Sequence, residues 1–333
     1  MTIVLSPARV RVPCSTSNLG AGFDCIGLAL DRYLDVEFTP LDSGGIRIGR
    51  AGTLEGLSVD ASGDAVATAF MGELMALGSG NVHGELRMSS SIPVGRGLGS
   101  SAAAVVAGQV LARVATGAEI DAASILAGAT RREGHPDNAA PALYGGLVGV
   151  ARTLHDVIAF RLSLSADIGF AWAAPPVEVS TALARGVLPA SVDHAVAVRS
   201  LSRVASLVRG LATGDARLLR AGFDDELHVP YRLGLIPGAG AVIESALDAG
   251  AWAVTISGSG SGLLAVTSSG GESRVANAMA RAFEAAVSAV PMANAASANP
   301  AAGVIAFAAV PARSGASVLV RDGFEPIAVL EGS

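Results

Sequence analysis

The chain of 333 residues contains no lysine, so all 23 of its basic side chains are arginines. It has two cysteines, Cys14 and Cys25, without a C-x-x-C pair or a Cys/His cluster, which argues against a disulfide framework and a structural zinc site. Apolar runs are broken by Arg, Asp, Glu or Gly well before the roughly 20 residues of a membrane-spanning helix. The first residues lack the pattern of a signal peptide. We therefore expect a soluble, cytoplasmic protein that does not enter membranes.

Charged residues are also scarce, at 16% of the chain, whereas hydrophobic residues make up 51%. This composition favours a large buried core and is not typical of long disordered segments. The formal net charge of −6 argues against nucleic acid as a partner, because duplex binding needs a basic face. The length exceeds what one core usually holds, so we expect two domains, residues 1–160 and 161–333.

A glycine-rich segment near the middle of the chain, which we call the central loop, leads into a run rich in Ala and Val. It reads Pro93-Val94-Gly95-Arg96-Gly97-Leu98-Gly99-Ser100-Ser101-Ala102-Ala103. Glycines permit a tight turn and a close approach of a ligand to the backbone. Ser100 or Ser101 is a good helix N-cap. Free N–H groups at a helix start attract anions, so the segment predicts a phosphate-binding loop.

Two familiar nucleotide motifs do not fit the central loop. A Walker loop requires a lysine, which this chain lacks. A dinucleotide fingerprint has a different glycine spacing and lies inside a βαβ unit. Two interpretations remain. The segment is either a phosphate loop whose hydroxyls could also reach a metal ion, or a plain glycine turn before a helix. Its residues leave both interpretations open.

Two polar segments on either side of the central loop carry further candidate residues. Residues 13–24 are predicted to form a loop, in which Asn18 and Asp24 either hold turns or contact a substrate. Glu133 ends a predicted helix, where a carboxylate is unfavourable unless a cation binds there. Asn138 follows closely, whereas a single histidine such as His135 is more often structural, so His135 is left outside the predicted chemistry.

The second half of the chain adds two more features. Thr181 and Arg185 are four residues apart, so they face the same way on a predicted helix. A Gly/Ser segment at residues 257–262, here the late loop, lies between two short predicted strands. A flexible linker seldom has that position, so we expect a close crossing of backbones over a ligand phosphate.

Taken together, these segments resemble the GHMP kinases and, within them, the homoserine kinase family. Three motifs carry the resemblance to the superfamily: Ser15–Asp24, the central loop, and Ile256–Gly262. The narrower resemblance comes from N-L-G-x-G-F-D in the first motif, from Glu133–Asn138, and from H-x-P-Y-R-x-x-L-I-P at His228–Pro237. It implies an α+β fold of two domains, the first like domain 2 of ribosomal protein S5 and the second ferredoxin-like.

The resemblance also implies an activity, the ATP-dependent phosphorylation of the side-chain hydroxyl of L-homoserine to O-phospho-L-homoserine in threonine biosynthesis. The central loop would wrap the ATP phosphates, and Ser100 and Glu133 would hold Mg²⁺. Asp24 suits the substrate ammonium, and arginines suit its carboxylate. The catalytic roles would fall to Asn18, Ser100, Glu133 and Arg185. The substrate-binding residues would be Asn18, Asp24, Asn138, Thr181, Arg185 and Arg232.

Some GHMP kinases use an aspartate base assisted by a lysine, and the absence of lysine excludes that version here. Phosphoryl transfer depends mainly on positioning and charge stabilisation, so a site without a strong base is workable. Rival functions are a GHMP kinase for another small alcohol, such as a threonine-type amino acid or an isoprenoid precursor, and a non-catalytic nucleotide or metabolite sensor. A structural assembly protein is disfavoured by the polar loops. The oligomeric state is left open, with a homodimer as one alternative.

Overall fold

The computed structural model describes residues 4–80, 82–154, 156–289, 303–320 and 323–330. Within these ranges the larger of two β-sheets has eight strands, which come from both ends of the chain. They are β1 (Ala8–Ser17), β2 (Ile26–Pro40), β3 (Ile46–Gly52), β4 (Gly84–Ser90), β5 (Leu147–Arg152), β6 (Val157–Arg161), β11 (Ser317–Val320) and β12 (Gly323–Pro326).

The main path through this sheet is β12-β11-β1-β2-β4-β3, and β5 pairs with β2 and β6. Only the β3–β4 pair is parallel among the pairings described for this sheet. Because β11 pairs with β1, the last strands cross the expected division at residue 160 and join the first sheet. The division itself stays a prediction.

Four helices accompany the first sheet and bury its core. They are α1 (Ala65–Ala76), α2 (Ser100–Thr116), α3 (Ala122–Glu133) and α4 (Ala139–Tyr144). An aspartate precedes both α1 and α3, and the carboxylates of Asp64 and Asp121 accept backbone N–H groups in the first turns of these helices. In α2, every residue from 102 to 112 is buried, which explains its run of small and apolar residues.

The second sheet is antiparallel and has the order β10-β7-β9-β8. Its strands are β7 (Ile168–Ala174), β8 (Ala253–Ile256), β9 (Leu263–Ser268) and β10 (Ile305–Ala309). The helices of this half are α5 (Thr181–Gly186), α6 (His194–Thr213), α7 (Ala216–Phe223), α8 (Val229–Arg232), α9 (Ala239–Asp248) and α10 (Glu272–Ala289). Helices lie between β7 and β8, β9 follows β8, and α10 lies between β9 and β10. This is the β-α-β-β-α-β order of a ferredoxin-like unit. The expected α+β fold is confirmed.

The first half of the predicted loop at residues 13–24 is wrong. Strand β1 continues through Pro13 to Ser17, with a shift of register against β2 between Pro13 and Cys14. The hydroxyl side chains that suggested a loop are buried in this strand, because distant parts of the chain bond to them. These partners place the end of β1 beside the candidate site.

Two further findings concern the cysteines and the helices of the described residues. Cys14 and Cys25 are free thiols. None of the helices in the described ranges has the length and apolar character to cross a membrane.

Candidate active site

A cavity of about 160 Å³ lies where the central loop, the late loop and α5 meet. It unites predicted residues from six separate segments of the chain. Its wall consists of Asn18, Gly95, Gly97, Gly99, Ser100, Ser101, Glu133, His135, Asn138, Val179, Ser180, Thr181, Arg185, Arg232, Gly258 and Ser259. Of the predicted substrate-binding residues, only Asp24 is outside this wall, and it binds Arg185.

The central loop turns through three glycines whose backbone is in the left-handed region. Gly95, Gly97 and Gly99 all have positive φ, at 69°, 77° and 61°. Gly99 is the residue that precedes α2, and no side chain caps the helix start, so the prediction of a serine N-cap is wrong. Ser100 and Ser101 are instead the first two helical residues. The uncapped amide end of a 17-residue helix therefore meets the cavity wall, where it can bind phosphate.

The late loop packs directly on the central loop, as the expected close crossing requires. Ser257 Oγ donates to Gly97 O at 2.6 Å, and Gly262 N donates to Arg96 O at 3.1 Å. A Cβ at position 97 would lie 2.0 Å from Ser257 O, so only glycine fits there. Gly258 and Ser259 then form part of the cavity wall. The late loop, which joins β8 and β9 of the second sheet, thus supports the central loop.

This crossing predicts a specific stability effect. We expect Gly97→Ala to lower the free energy of unfolding by roughly 3 kcal/mol, because the new Cβ strains the backbone and displaces Ser257. Gly117→Ala is the matched control, since Gly117 has a similar φ of 68° but open space around its Cα. It should cost only about 1 kcal/mol. Urea denaturation measures both, and equal losses would refute the close crossing.

Asn18 holds a turn at the cavity wall, and Asp24 lies just outside that wall. Each has positive φ, at 60° and 55°. Asn18 Oδ1 accepts from Asp24 N at 2.9 Å, while its Nδ2 donates to Gly258 O at 2.8 Å. Asn18 therefore holds a turn and also lines the cavity, whereas the carboxylate of Asp24 binds Arg185. Asn18 also ties the end of β1 to the late loop.

Charged side chains lie close together at one end of the cavity, the end that α5 and α8 form. Arg185 forms a bidentate ion pair with Asp24, with Nη2–Oδ1 and Nη1–Oδ2 distances of 2.7 and 3.1 Å. Arg232 is 2% exposed and donates from Nε to Ala184 O at 2.9 Å. Burial lowers the pKa of Arg232, and the neighbouring Arg185 charge lowers it further. A buried guanidinium at a cavity wall is suited to a carboxylate ligand.

The side chain of Asn138 is held between two strand serines. Ser15 Oγ donates to Asn138 Oδ1 at 3.0 Å, and Asn138 Nδ2 donates to Ser17 Oγ at 2.7 Å. Thr181 is the first residue of α5, which Ser180 caps through its hydroxyl. Both predicted residues therefore reach the cavity wall from rigid supports.

Glu133 lies at the end of α3, facing the start of α2. Ser101 Oγ donates to Glu133 Oε1 at 2.7 Å, so the structure pairs Glu133 with Ser101 rather than with Ser100, although all three line the cavity. Among the described residues, no group of three or more His, Cys, Asp or Glu could hold a metal ion. One carboxylate with nearby hydroxyls still fits Mg²⁺, because that ion commonly takes its other ligands from substrate phosphates and water.

His135, which sequence reasoning left aside, belongs to the cavity wall. Its Nδ1 lies 2.6 Å from Oδ1 of Asp137, a carboxylate that is 1% exposed. Burial alone would lower the pKa of His135, but the hydrogen bond to Asp137 outweighs it and raises the pKa above its ordinary value. The sequence contained one signal of this pairing, because His135 and Asp137 are two polar residues only two positions apart.

A second cavity, of about 220 Å³, adjoins the first and shares Ser100 and Ser101 with it. Its wall is mainly apolar and includes Leu54, Leu57, Val59, Val66, Ile92, Val94 and Ala104. Sequence reasoning missed this cavity, because its lining comes from four segments without a shared motif. An apolar cavity beside a phosphate loop is suited to the base and sugar of a nucleotide.

Comparison with known proteins agrees with this geometry. Residues 62–146 match the family model for the GHMP kinases N terminal domain, and residues 207–285 match that for GHMP kinases C terminal. Homoserine kinase from Moorella thermoacetica is 43% identical over 241 residues, which cover 72% of this chain and 81% of that protein. A homoserine kinase from Thermus thermophilus is 38% identical over 242 residues, covering 73% and 80%.

Solved structures give the same result. The crystal structure of homoserine kinase from Cytophaga hutchinsonii superposes with a TM-score of 0.80 at 31% identity, over 94% of this chain and 97% of that one. Mevalonate kinase from L. major has a TM-score of 0.66 at 16% identity over 92% and 97%, which shows a shared fold alone. The two family models and this fold define a GHMP kinase. Within that superfamily the chain belongs to the homoserine kinases.

Proposed function

We propose that this protein transfers the γ-phosphoryl group of ATP to the side-chain hydroxyl of L-homoserine, giving O-phospho-L-homoserine for threonine synthesis. One observation carries the proposal. The same cavity joins the uncapped start of α2 to two arginines, Arg185 and Arg232, and Arg185 is paired with the carboxylate of Asp24. Because the reaction consumes ATP, we also propose that it takes place in the cytoplasm.

ATP would occupy both cavities. Its phosphates would meet the amides of the central loop and the first turn of α2, and its adenosine would lie in the apolar cavity that shares Ser100 and Ser101. Without any lysine, the triphosphate charge would be met by backbone amides, arginines and a cation. The buried Arg96 is already engaged with Pro175 O, so it supports the loop and leaves phosphate binding to the backbone.

Mg²⁺ would be held by Glu133 with Ser101 or Ser100, together with phosphate oxygens. When bound, it would neutralise charge on the phosphates. Glu133 faces the amide end of α2, so it directs the phosphates towards the rest of the cavity. The carboxylate at the C-terminus of α3 is electrostatically unfavourable in isolation, which is consistent with a role in binding a cation.

Homoserine carries an ammonium and a carboxylate on the same carbon. In the structure, Asp24 and Arg185 neutralise each other, and the two charges of the substrate could replace that pairing, with Asp24 binding the ammonium and Arg185 the carboxylate. Arg232 would bind the carboxylate from the buried side. This would leave the substrate hydroxyl near Asn18, Asn138 and Thr181, and would direct it at the γ-phosphate.

Catalysis in this site would rest on position and charge. A loose phosphoryl-transfer transition state needs little assistance from a base, but it needs the acceptor oxygen in line with the leaving group. Asn18 and Asn138 are both fixed by hydrogen bonds to distant segments, so they would hold the acceptor with little freedom.

The test of this proposal is ADP release by the purified protein with Mg-ATP and three acceptors, L-homoserine, L-threonine and mevalonate. We expect L-homoserine to give the highest kcat/KM by a wide margin. Activity with mevalonate alone would contradict an amino-acid site. Saturable ATP binding without ADP release for any acceptor would favour a sensor.

The apolar cavity leads to a separate prediction about ATP. Arg50 donates to Leu57 O at 3.2 Å, to Val59 O at 2.7 Å and to Asp64 Oδ2 at 2.7 Å, so it holds the cavity wall in place. We expect Arg50→Met to raise KM for ATP about tenfold and to leave KM for homoserine unchanged. The control is Arg87→Met, an exposed arginine on β4. Steady-state kinetics decide: an unchanged KM for ATP would show that the adenosine is bound elsewhere, and an equal rise in both KM values would show an effect that is not specific to ATP.

A further inference from the structure

Phe23, which no step above uses, lies at the centre of the charged end of the site. Its ring stacks on the ring of His228, with centroids 4.8 Å apart and an interplanar angle of 20°. The guanidinium carbon of Arg232 lies 5.0 Å from the centroid of Phe23, and that of Arg185 lies 5.9 Å from it. One aromatic ring therefore contacts both arginines that the proposed function assigns to the substrate carboxylate.

His228 holds this ring in place and stays uncharged. It is completely buried, and its Nε2 lies 3.1 Å from Gly20 O, which can only accept, so the ring proton is on Nε2. The Asp225 carboxylate accepts from the backbone N–H groups of His228 and Val229 at 2.7 and 2.8 Å and so fixes the segment. Burial lowers the pKa of His228, so the ring adds no positive charge beside Arg232.

The carboxylates near Arg232 are already committed to other partners. Asp24 binds Arg185, Asp137 binds His135, and Asp225 binds backbone N–H groups. The acceptors that Arg232 itself contacts, Ala184 O and Gly258 O, are uncharged carbonyls. A cation buried to this extent is stabilised by the negative face of an aromatic ring, which does not occupy the donors that a carboxylate ligand needs.

We propose that Phe23 is a positioning residue for the carboxylate of the substrate, acting through Arg232. The ring orients the guanidinium and partly offsets its charge, while the stacked ring of His228 fixes the ring of Phe23. This inference rests on the proposed function, because it takes homoserine as the ligand of Arg232. An anionic side chain in place of Phe23 would instead compete with that ligand.

The test compares two acceptors that differ only in the carboxylate, L-homoserine and 3-aminopropan-1-ol. We expect Phe23→Leu to raise KM for homoserine about fivefold, while KM for ATP and the kcat/KM for 3-aminopropan-1-ol stay within about twofold of wild type. Phe23→Tyr keeps the ring and should retain the wild-type KM. If Phe23 had a role in folding alone, Phe23→Leu would reduce activity with homoserine and with 3-aminopropan-1-ol to the same extent.

The outcomes separate this inference from the proposed function. Wild-type protein that does not phosphorylate homoserine overturns the proposed function. Wild-type activity with an unchanged KM in Phe23→Leu, or an equal loss for both acceptors, overturns the role of Phe23 alone. Phe160→Leu is the matched control, since Phe160 is 44% exposed on β6. Thermal melts of all variants confirm that the folded protein is being compared.

Discussion

An Arg232→Met variant is expected to lose about a hundredfold in kcat/KM for L-homoserine, while its KM for ATP changes by less than about twofold. Arg232 is the buried arginine of the cavity, and a methionine there removes both the charge and the donors offered to the substrate carboxylate. Arg232→Met also leaves Ala184 O without its donor, so we expect a lower melting temperature than wild type, and the rates are compared at a temperature where both proteins are folded.

Acceptor analogues show whether this loss comes from the carboxylate. With 3-aminopropan-1-ol, which has the ammonium and the hydroxyl but no carboxylate, Arg232→Met and wild type should be nearly equal. Arg209→Met, on the exposed face of α6, is the control for loss of an arginine. If Arg232→Met loses as much with the analogue as with homoserine, the carboxylate is bound by other groups.

The second large effect is expected at Glu133. Glu133→Gln keeps the size of the side chain and an oxygen for the Ser101 hydroxyl, but it removes the charge that would hold Mg²⁺. We expect kcat to fall by a factor of about a hundred or more, because charge on the transferring phosphoryl group loses its stabilisation. The Mg²⁺ concentration that gives half-maximal rate should rise in the same variant.

Initial rates measured over a Mg²⁺ titration test this prediction. The control is Glu119→Gln, because Glu119 is an exposed carboxylate beyond the end of α2. If Glu133→Gln binds Mg-ATP and turns it over as wild type does, then Glu133 is not part of the phosphate site. The protein is a sensor if the wild type shows no turnover, while Glu133→Gln keeps nucleotide binding and the biological effect.

Local signals in the sequence were sufficient for several elements. The central loop, the span of α2 up to Gly117 and the start of α3 at Asp121 all follow from glycine and aspartate at positions where the backbone needs them. The resemblance to a family supplied the set of substrate residues, and the structure brings nearly all of them to one cavity.

Features that depend on long-range partners were not predictable in the same way. The end of β1 looked like a loop, since Ser15 and Thr16 are polar. Ser15 bonds to Asn138, which is 123 residues away in the chain, and Thr16 bonds to Ser257, which is 241 residues away. The stack of Phe23 on His228 and the apolar cavity beside α2 likewise join segments far apart in the chain. Periodicity and spacing report on neighbours within a few residues and carry no information on such contacts.

If the protein phosphorylates homoserine, the central loop and the charged end of the cavity must act together, the first on ATP and the second on homoserine. Phosphorus NMR of the protein with Mg-ATP and L-homoserine tests this directly, because the signals separate a phosphate monoester, inorganic phosphate and ADP. We predict a monoester signal that grows in equal amount with ADP and is absent without homoserine. ADP accompanied only by inorganic phosphate, or ATP left intact, would contradict this claim.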